Sequence, residues 1–141
     1  MIETISARDV QSKPDFVGLM NLYDKNYRLL TTLLECTDDD RDAIRNRNGY
    51  TLKIARKHQS RYTQNLDLHY SFHTRRHGRK VVVAIASFKV RLYMDTQQAA
   101  VTFSEIQLKK PFPTYGLFLS YRAKWYYNHC LKAVLRSFFA R

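Results

Sequence analysis

From Arg61 to His73 the chain alternates in polarity residue by residue. Tyr62, Leu66, Leu68, Tyr70 and Phe72 fall on one side, with Gln64 the exception. Arg61, Thr63, Asn65, Asp67, His69, Ser71 and His73 fall on the other. A period of two belongs to an extended strand, whose side chains point alternately to opposite faces. One apolar and one polar phase mark an antiparallel sheet with one face buried and one wet.

The same stretch decides whether its histidines can share a metal. His69, His73 and His77 recur at four-residue spacing. Four strand residues span about 13 Å at roughly 3.3 Å each. Two ligands of one zinc must both lie about 2 Å from it. A helix would stack such a pair on one face, but the alternation argues for a strand. His77 falls in "TRRHGR", where Gly78 supplies a turn-forming backbone. No metal site and no cofactor is expected.

The neighbouring segments extend the sheet and add helices. "PDFVGLMNLYDKNYRLLTTLLE" places Phe16, Met20, Tyr23, Tyr27, Leu30 and Leu34 at spacings of three and four, one helical stripe. Pro14 suits the first turn, Ser12 and Asp15 favour a start there, and the stop is expected near Cys36. In "GYTLKIARK", Tyr50, Leu52 and Ile54 alternate with polar or small residues, a further strand. In "VVVAIASFKVRLYMD" the second half alternates, while the continuously apolar first half predicts a central or doubly covered strand. "MDTQQ" predicts a turn and "AAVTFSEIQL" a return strand. "SYRAKWYYNHCLKAVLRSFFAR" predicts a helix capped by Ser120. Its stripe is Ala123, Tyr127, Leu131, Val134 and Phe138, with Lys124, Lys132 and Arg136 off it. Strands between terminal helices predict an α+β fold, an antiparallel sheet of about four to five strands packed against N-terminal and C-terminal helices.

A chain of 141 residues, 45% apolar, suits a single domain over 1–141 with residues 1–12 a flexible N-terminus. No apolar run reaches the ~20 residues of a membrane span, and the opening residues lack a secretory signal. Cys36 and Cys130 lie far apart with no Cys-x-x-Cys, which suits reduced thiols in a cytoplasmic protein.

Three stretches together resemble one family. "PDFVGLMNLYDKNYRLLTTLL", "SRYTQNLDL" and "SFKVRLYMDTQQAAVTF" are similar to the YqiB-like proteins, a proteobacterial domain family of unknown function. The core of the likeness is Arg91, Leu92, Tyr93 and Asp95. Met94 stands where the family carries a histidine before Asp95. A thioether cannot accept or shuttle a proton, so His-Asp chemistry is not expected here. An Arg–carboxylate pair could instead hold a strand end. The resemblance implies a small cytoplasmic bacterial α+β protein and no activity.

No Gly-rich phosphate loop, nucleophile elbow or zinc-protease motif is present. Asp95 and Glu105 are the one carboxylate pair to consider for acid–base work. The net charge of +12 is unevenly spread. Residues 45–80 carry ten basic side chains and one acid, and 109–141 carry seven and none. Such blocks concentrate anionic partners. Arg56, Lys57, Arg61, Arg75, Arg76, Arg79, Lys80, Arg122 and Lys124 are the candidate nucleic-acid-binding side chains. No sequence-reading DNA motif accompanies them, so structured RNA or the ribosome is the expected partner. The alternative is an adaptor, with "FPTYGLFL" as an apolar anchor, or an inhibitor of an acidic protein partner. No membrane partner and no enzymatic activity are expected.

Overall fold

A computed structural model describes residues 15–35, 43–106, 114–115, 118–119 and 121–139. Residues 1–12, Pro14, Cys36, the acidic run Asp38 to Asp42, and Ser120 lie outside them, as does half of "FPTYGLFL". In chain order the elements are α1 (Phe16–Glu35), β1 (Ala43–Arg45), β2 (Tyr50–Gln59), β3 (Thr63–Arg76), β4 (Arg79–Tyr93) and β5 (Gln98–Ile106). The short β6 (Thr114–Tyr115) and β7 (Phe118–Leu119) follow, then α2 (Tyr121–Arg136). The first five strands form one antiparallel sheet in the order β1-β2-β3-β4-β5. The two helices pack against each other and against β5. This is the α+β arrangement that the alternation implied.

The sheet's apolar phase makes its half of the core. Leu52 and Ile54 of β2, Leu66, Leu68 and Tyr70 of β3, Phe88, Val90 and Leu92 of β4, and Ala99 and Val101 of β5 are all buried. Each fully buried aliphatic or aromatic side chain contributes about 1.5–3 kcal/mol relative to exposure. Leu66, with no exposed surface, is a position where truncation to alanine would cost about 2–5 kcal/mol. From α2, Ala123, Tyr127, Leu131 and Val134 face this core as the stripe predicts, and Phe138 packs half-buried beside it. Trp125, Asn128, Cys130 and Leu135 are buried too, so the buried face is wider than the stripe.

α1 is turned from its expected orientation. Asp15 is its N-cap, accepting the Gly18 backbone N–H, and the helix ends at Glu35. Its buried residues are Leu19, Leu22, Asn26, Leu30 and Leu33. At 100° per residue, that face lies roughly 80° from the Phe16–Leu34 stripe. Phe16 is 68% exposed. Both faces of the helix carry apolar residues, and α2 selects between them. Trp125 packs with Leu19 and Leu22, and buried Asn26 donates to the Asn128 carbonyl at 3.0 Å.

Three irregularities interrupt the sheet's register, one of them in β2 between Arg56 and Gln59. β5 carries an extra residue, Thr102, because Lys89 pairs with Phe103 while Val90 pairs with Val101. The bulge leaves the Val101 N–H to Asn128 Oδ1, at 3.1 Å. β4 carries Ile85 as an extra residue, since Tyr70 pairs with Ala86 and Ser71 with Ala84. A bulge bends its strand and increases the local twist. Beyond it β5 no longer pairs, and past Phe72 the ladder continues as β3 and β4 alone.

Two expectations are corrected here. "VVVA" is not a doubly covered strand: Val82 is 60% and Val83 42% exposed. It lies past the point where β5 stops pairing, at Ala86 and Ile106. Tyr62 is 50% exposed and sits in the β2–β3 turn rather than on the strand's buried face.

Candidate nucleic-acid interface

The 14-residue β3 and 15-residue β4 outrun their neighbours and form a two-stranded arm. On the β2 side the last regular pair is Tyr50 with Phe72, followed by one bond from His73 N–H to the Gly49 carbonyl, 3.1 Å. Tyr50 stacks on Tyr70 at 5.4 Å and tilts against Phe72 at 4.8 Å, and Phe138 meets Tyr70 edge-on. These rings fix the root of the arm. An isolated two-stranded hairpin is marginal in water, so the root gives the arm its direction.

The tip turns through His77 (φ 54) and Gly78 (φ 76). Positive φ at both central residues defines a type I′ turn, which matches the right-handed twist of the strands. The tight turn fixes the register beyond it. Arg75 lies directly opposite Lys80, and Arg76 directly opposite Arg79. All four are exposed, and none is ion-paired among the described residues. No Asp or Glu occurs between Leu68 and Ala86. Like charges opposite each other destabilise a ladder, so the tip concentrates positive charge against its own stability.

Successive side chains take opposite faces. Arg75 and Lys80 continue the phase of His69 and Ser71, the sheet face away from the helices. Arg76 and Arg79 continue the phase of Tyr70 and Phe72, the helix side. On the open face, Arg45, Lys53, Lys89 and Arg91 are exposed. Lys57 approaches Asp67 at 4.0 Å, and Lys89 lies over the exposed Phe103 ring at 5.8 Å. Arg91 donates to Asn65 Oδ1 at 3.1 Å. A band of cations thus runs from the tip across the open face, interrupted by Asp67 and Glu105. Lys53 and Lys89 were not singled out from sequence. Their signal was the polar phase itself, read across strands instead of along one.

The nine candidate cations do not converge. Arg75, Arg76, Arg79 and Lys80 form the tip. Lys57 belongs to the open face. Arg56 shares the phase of Leu66 and borders a cleft of about 290 Å³ with Tyr27, Gln64 and Met94. Arg61 lies in the β2–β3 turn over the Tyr62 ring, 5.0 Å from its centroid. Arg122 and Lys124 begin α2. The helix reaches the Val101–Val90 row only at Asn128, and from Val90 to Arg79 is about 36 Å of strand. They stand apart from the tip.

The Arg91–Asp95 stretch is likewise dispersed. Leu92 is buried in the core, and Arg91 bonds Asn65 rather than a carboxylate. Asp95 caps its own turn through the Thr96 N–H, 3.0 Å. Asp95 and Glu105 lie at opposite ends of β5, too far apart to share a proton. His69 lies in the body of the sheet between Lys53 and Ser87, His73 at the root of the arm and His77 in its turn. Among the described residues no three His, Cys, Asp or Glu could hold a metal ion. No described helix is long and apolar enough to cross a membrane. Cys130 is fully buried, and burial pushes its thiol up to about 12, only partly offset by a hydrogen bond with Tyr126.

A family model described as a protein of unknown function, DUF1249, matches residues 27–139. No curated protein matches the chain, and no solved structure does.

Proposed function

Because the chain belongs to this family of unknown function, we propose its role from the surface it presents. It is a small, cytoplasmic, non-enzymatic protein that binds structured RNA, ribosomal RNA included, and within the family it stands with the YqiB-like members. One observation carries the reading. Arg75, Arg76, Arg79 and Lys80 are held as two like-charged cross-strand pairs with no acid on the arm. Phosphate relieves that repulsion, and guanidinium forks suit its oxygens. The open-face cations and Phe103 extend the contact beyond the tip, an aromatic face being able to stack an unpaired base.

The test is binding of a labelled structured RNA by anisotropy, with Arg75, Arg76, Arg79 and Lys80 all reversed to Glu in the comparison protein. Loss of binding in that variant supports the reading; equal binding by both proteins contradicts it. An acidic protein is the second reading. It is favoured by the exposed Val82 and Val83 on a β4 edge that no described strand pairs at that point. An extended acidic segment could add there as a strand. A glutamate-rich peptide that binds where RNA does not would favour it.

A further inference from the structure

The arm carries its charge on both faces, and this goes beyond binding a phosphate surface. Resting on the RNA reading, we infer that the arm enters a helical groove edge-on and contacts phosphates on both walls at once. Its RNA is then a duplex whose major groove is opened by a bulge or internal loop.

The argument starts from the register. Cross-strand partners share a face, so Arg75 and Lys80 project to one side of the ribbon and Arg76 and Arg79 to the other. A protein lying flat on a phosphate surface uses one side only. The other pair would then remain exposed to self-repulsion with nothing gained. Charge on both sides fits a slot with anionic walls.

The rest of the arm fits the same geometry. From Thr74 to the tip, β3 has no described neighbour except β4, and from Arg79 to Ile85, β4 has none except β3. The ribbon is therefore two strands wide over the three pairs from Thr74–Val81 to Arg76–Arg79, about 10 Å at roughly 3.3 Å per residue. A groove about 12 Å wide admits a two-stranded ribbon. The major groove of regular A-form RNA is too narrow and deep for side chains to read. A bulge breaks the stacking that keeps it closed. Behind the tip, Val82 lies on the Arg75 and Lys80 side and Val83 on the Arg76 and Arg79 side. Both faces of the ribbon are thus apolar just behind the tip, where it would leave the phosphates for the base edges.

The experiment uses the whole protein and three RNA probes of matched length: a single strand, a perfect duplex, and the same duplex with a three-nucleotide bulge. Each is measured with the parent, with Arg75→Glu/Lys80→Glu, and with Arg76→Glu/Arg79→Glu. Glutamine versions of both pairs control for new repulsion, and circular dichroism checks folding. The inference expects the bulged duplex to bind roughly tenfold tighter than either other probe. It also expects each double variant to lose a similar factor, roughly tenfold or more at low salt. Equal affinity for all three probes, or a loss confined to one pair, would overturn groove entry and leave RNA binding standing. No binding of any probe would overturn both.

Discussion

Asn128 Oδ1 accepts the Val101 backbone N–H at 3.1 Å, supplying the bond that the β5 bulge withholds from the ladder. Its Nδ2 donates to the Lys124 carbonyl at 2.7 Å, and its own carbonyl accepts from Asn26 of α1 at 3.0 Å. One buried residue therefore ties both helices to the sheet, its side-chain amide joining α2 to β5 and its main-chain carbonyl holding α1. Replacing it strands a buried N–H, which costs about 1–3 kcal/mol, and removes a second bond. Asn128→Ala is expected to lose about 2–4 kcal/mol in chemical denaturation. A loss under half a kcal/mol would show that the bulge needs no such partner.

Gly18 lies where α1 crosses Trp125. A Cβ there would stand 3.0 and 3.1 Å from two Trp125 ring atoms and 2.8 Å from the capping Asp15 Oδ1. Alanine favours a helix interior by about 1 kcal/mol over glycine, while overpacking costs about 1–3 kcal/mol. The clash should win. Gly18→Ala is expected to lower the melting temperature and shift Trp125 emission. A higher melting temperature would mean that the helix pair opens freely at this crossing.

These two contacts also mark what the sequence could not disclose. The strands were legible because alternation has one reading: polar and apolar phases of β3 each name a face. α1 was legible as a helix but not in its rotation. It has apolar residues over more than half its circumference, and only Trp125 and Asn128 decide which of them go inside. The continuous "VVVA" was misleading for a related reason. An apolar run without period signals cover, but here it is the bare shaft of an arm. That its neighbours end early cannot be read from the run itself. The tip cluster was legible as a turn full of cations. Its division into two opposed pairs required the register.

Cys130 should behave as an inert core thiol. Its folded-state value is raised from 9.0 to about 12 by burial. A raised thiol value means that the folded state holds its proton where the unfolded state has released it. Stability is then level in this group below pH 9 and falls as pH rises from 9 toward 12, by up to about 1.4 kcal/mol per pH unit. In a Cys36→Ser background, no native-state labelling by a thiol reagent is expected near neutral pH, and Cys130→Ala should flatten the alkaline decline. Rapid native labelling would contradict the burial.

The arm should be the least protected part of the sheet. Amides of Val90 and Leu92 lie in a ladder flanked on both sides, whereas those of Val81 and Val82 have β3 alone. Hydrogen exchange is expected to be fast beyond Thr74 and Val82 and slow from Ala86 to Leu92. Uniform protection along β4 would mean that the arm is covered.

Like-charge opposition at the tip gives stability and binding opposite signs. Arg76→Glu places a carboxylate opposite Arg79 and should strengthen the hairpin by about 0.2–1 kcal/mol. The same change should weaken RNA binding. A variant that loses both stability and binding would point to a structural role for Arg76.

The most direct test of the central claim is the salt dependence of RNA affinity. Each neutralised phosphate contributes a slope of about −0.7 to −0.9 to log K against log salt. Four tip cations engaged together predict a slope of about −3 or steeper for the parent protein. With Arg75, Arg76, Arg79 and Lys80 reversed, binding should vanish or the slope collapse toward zero. A parent that binds no RNA at low salt, or a reversed variant with an unchanged slope, would contradict the assignment of the arm as the RNA-binding element.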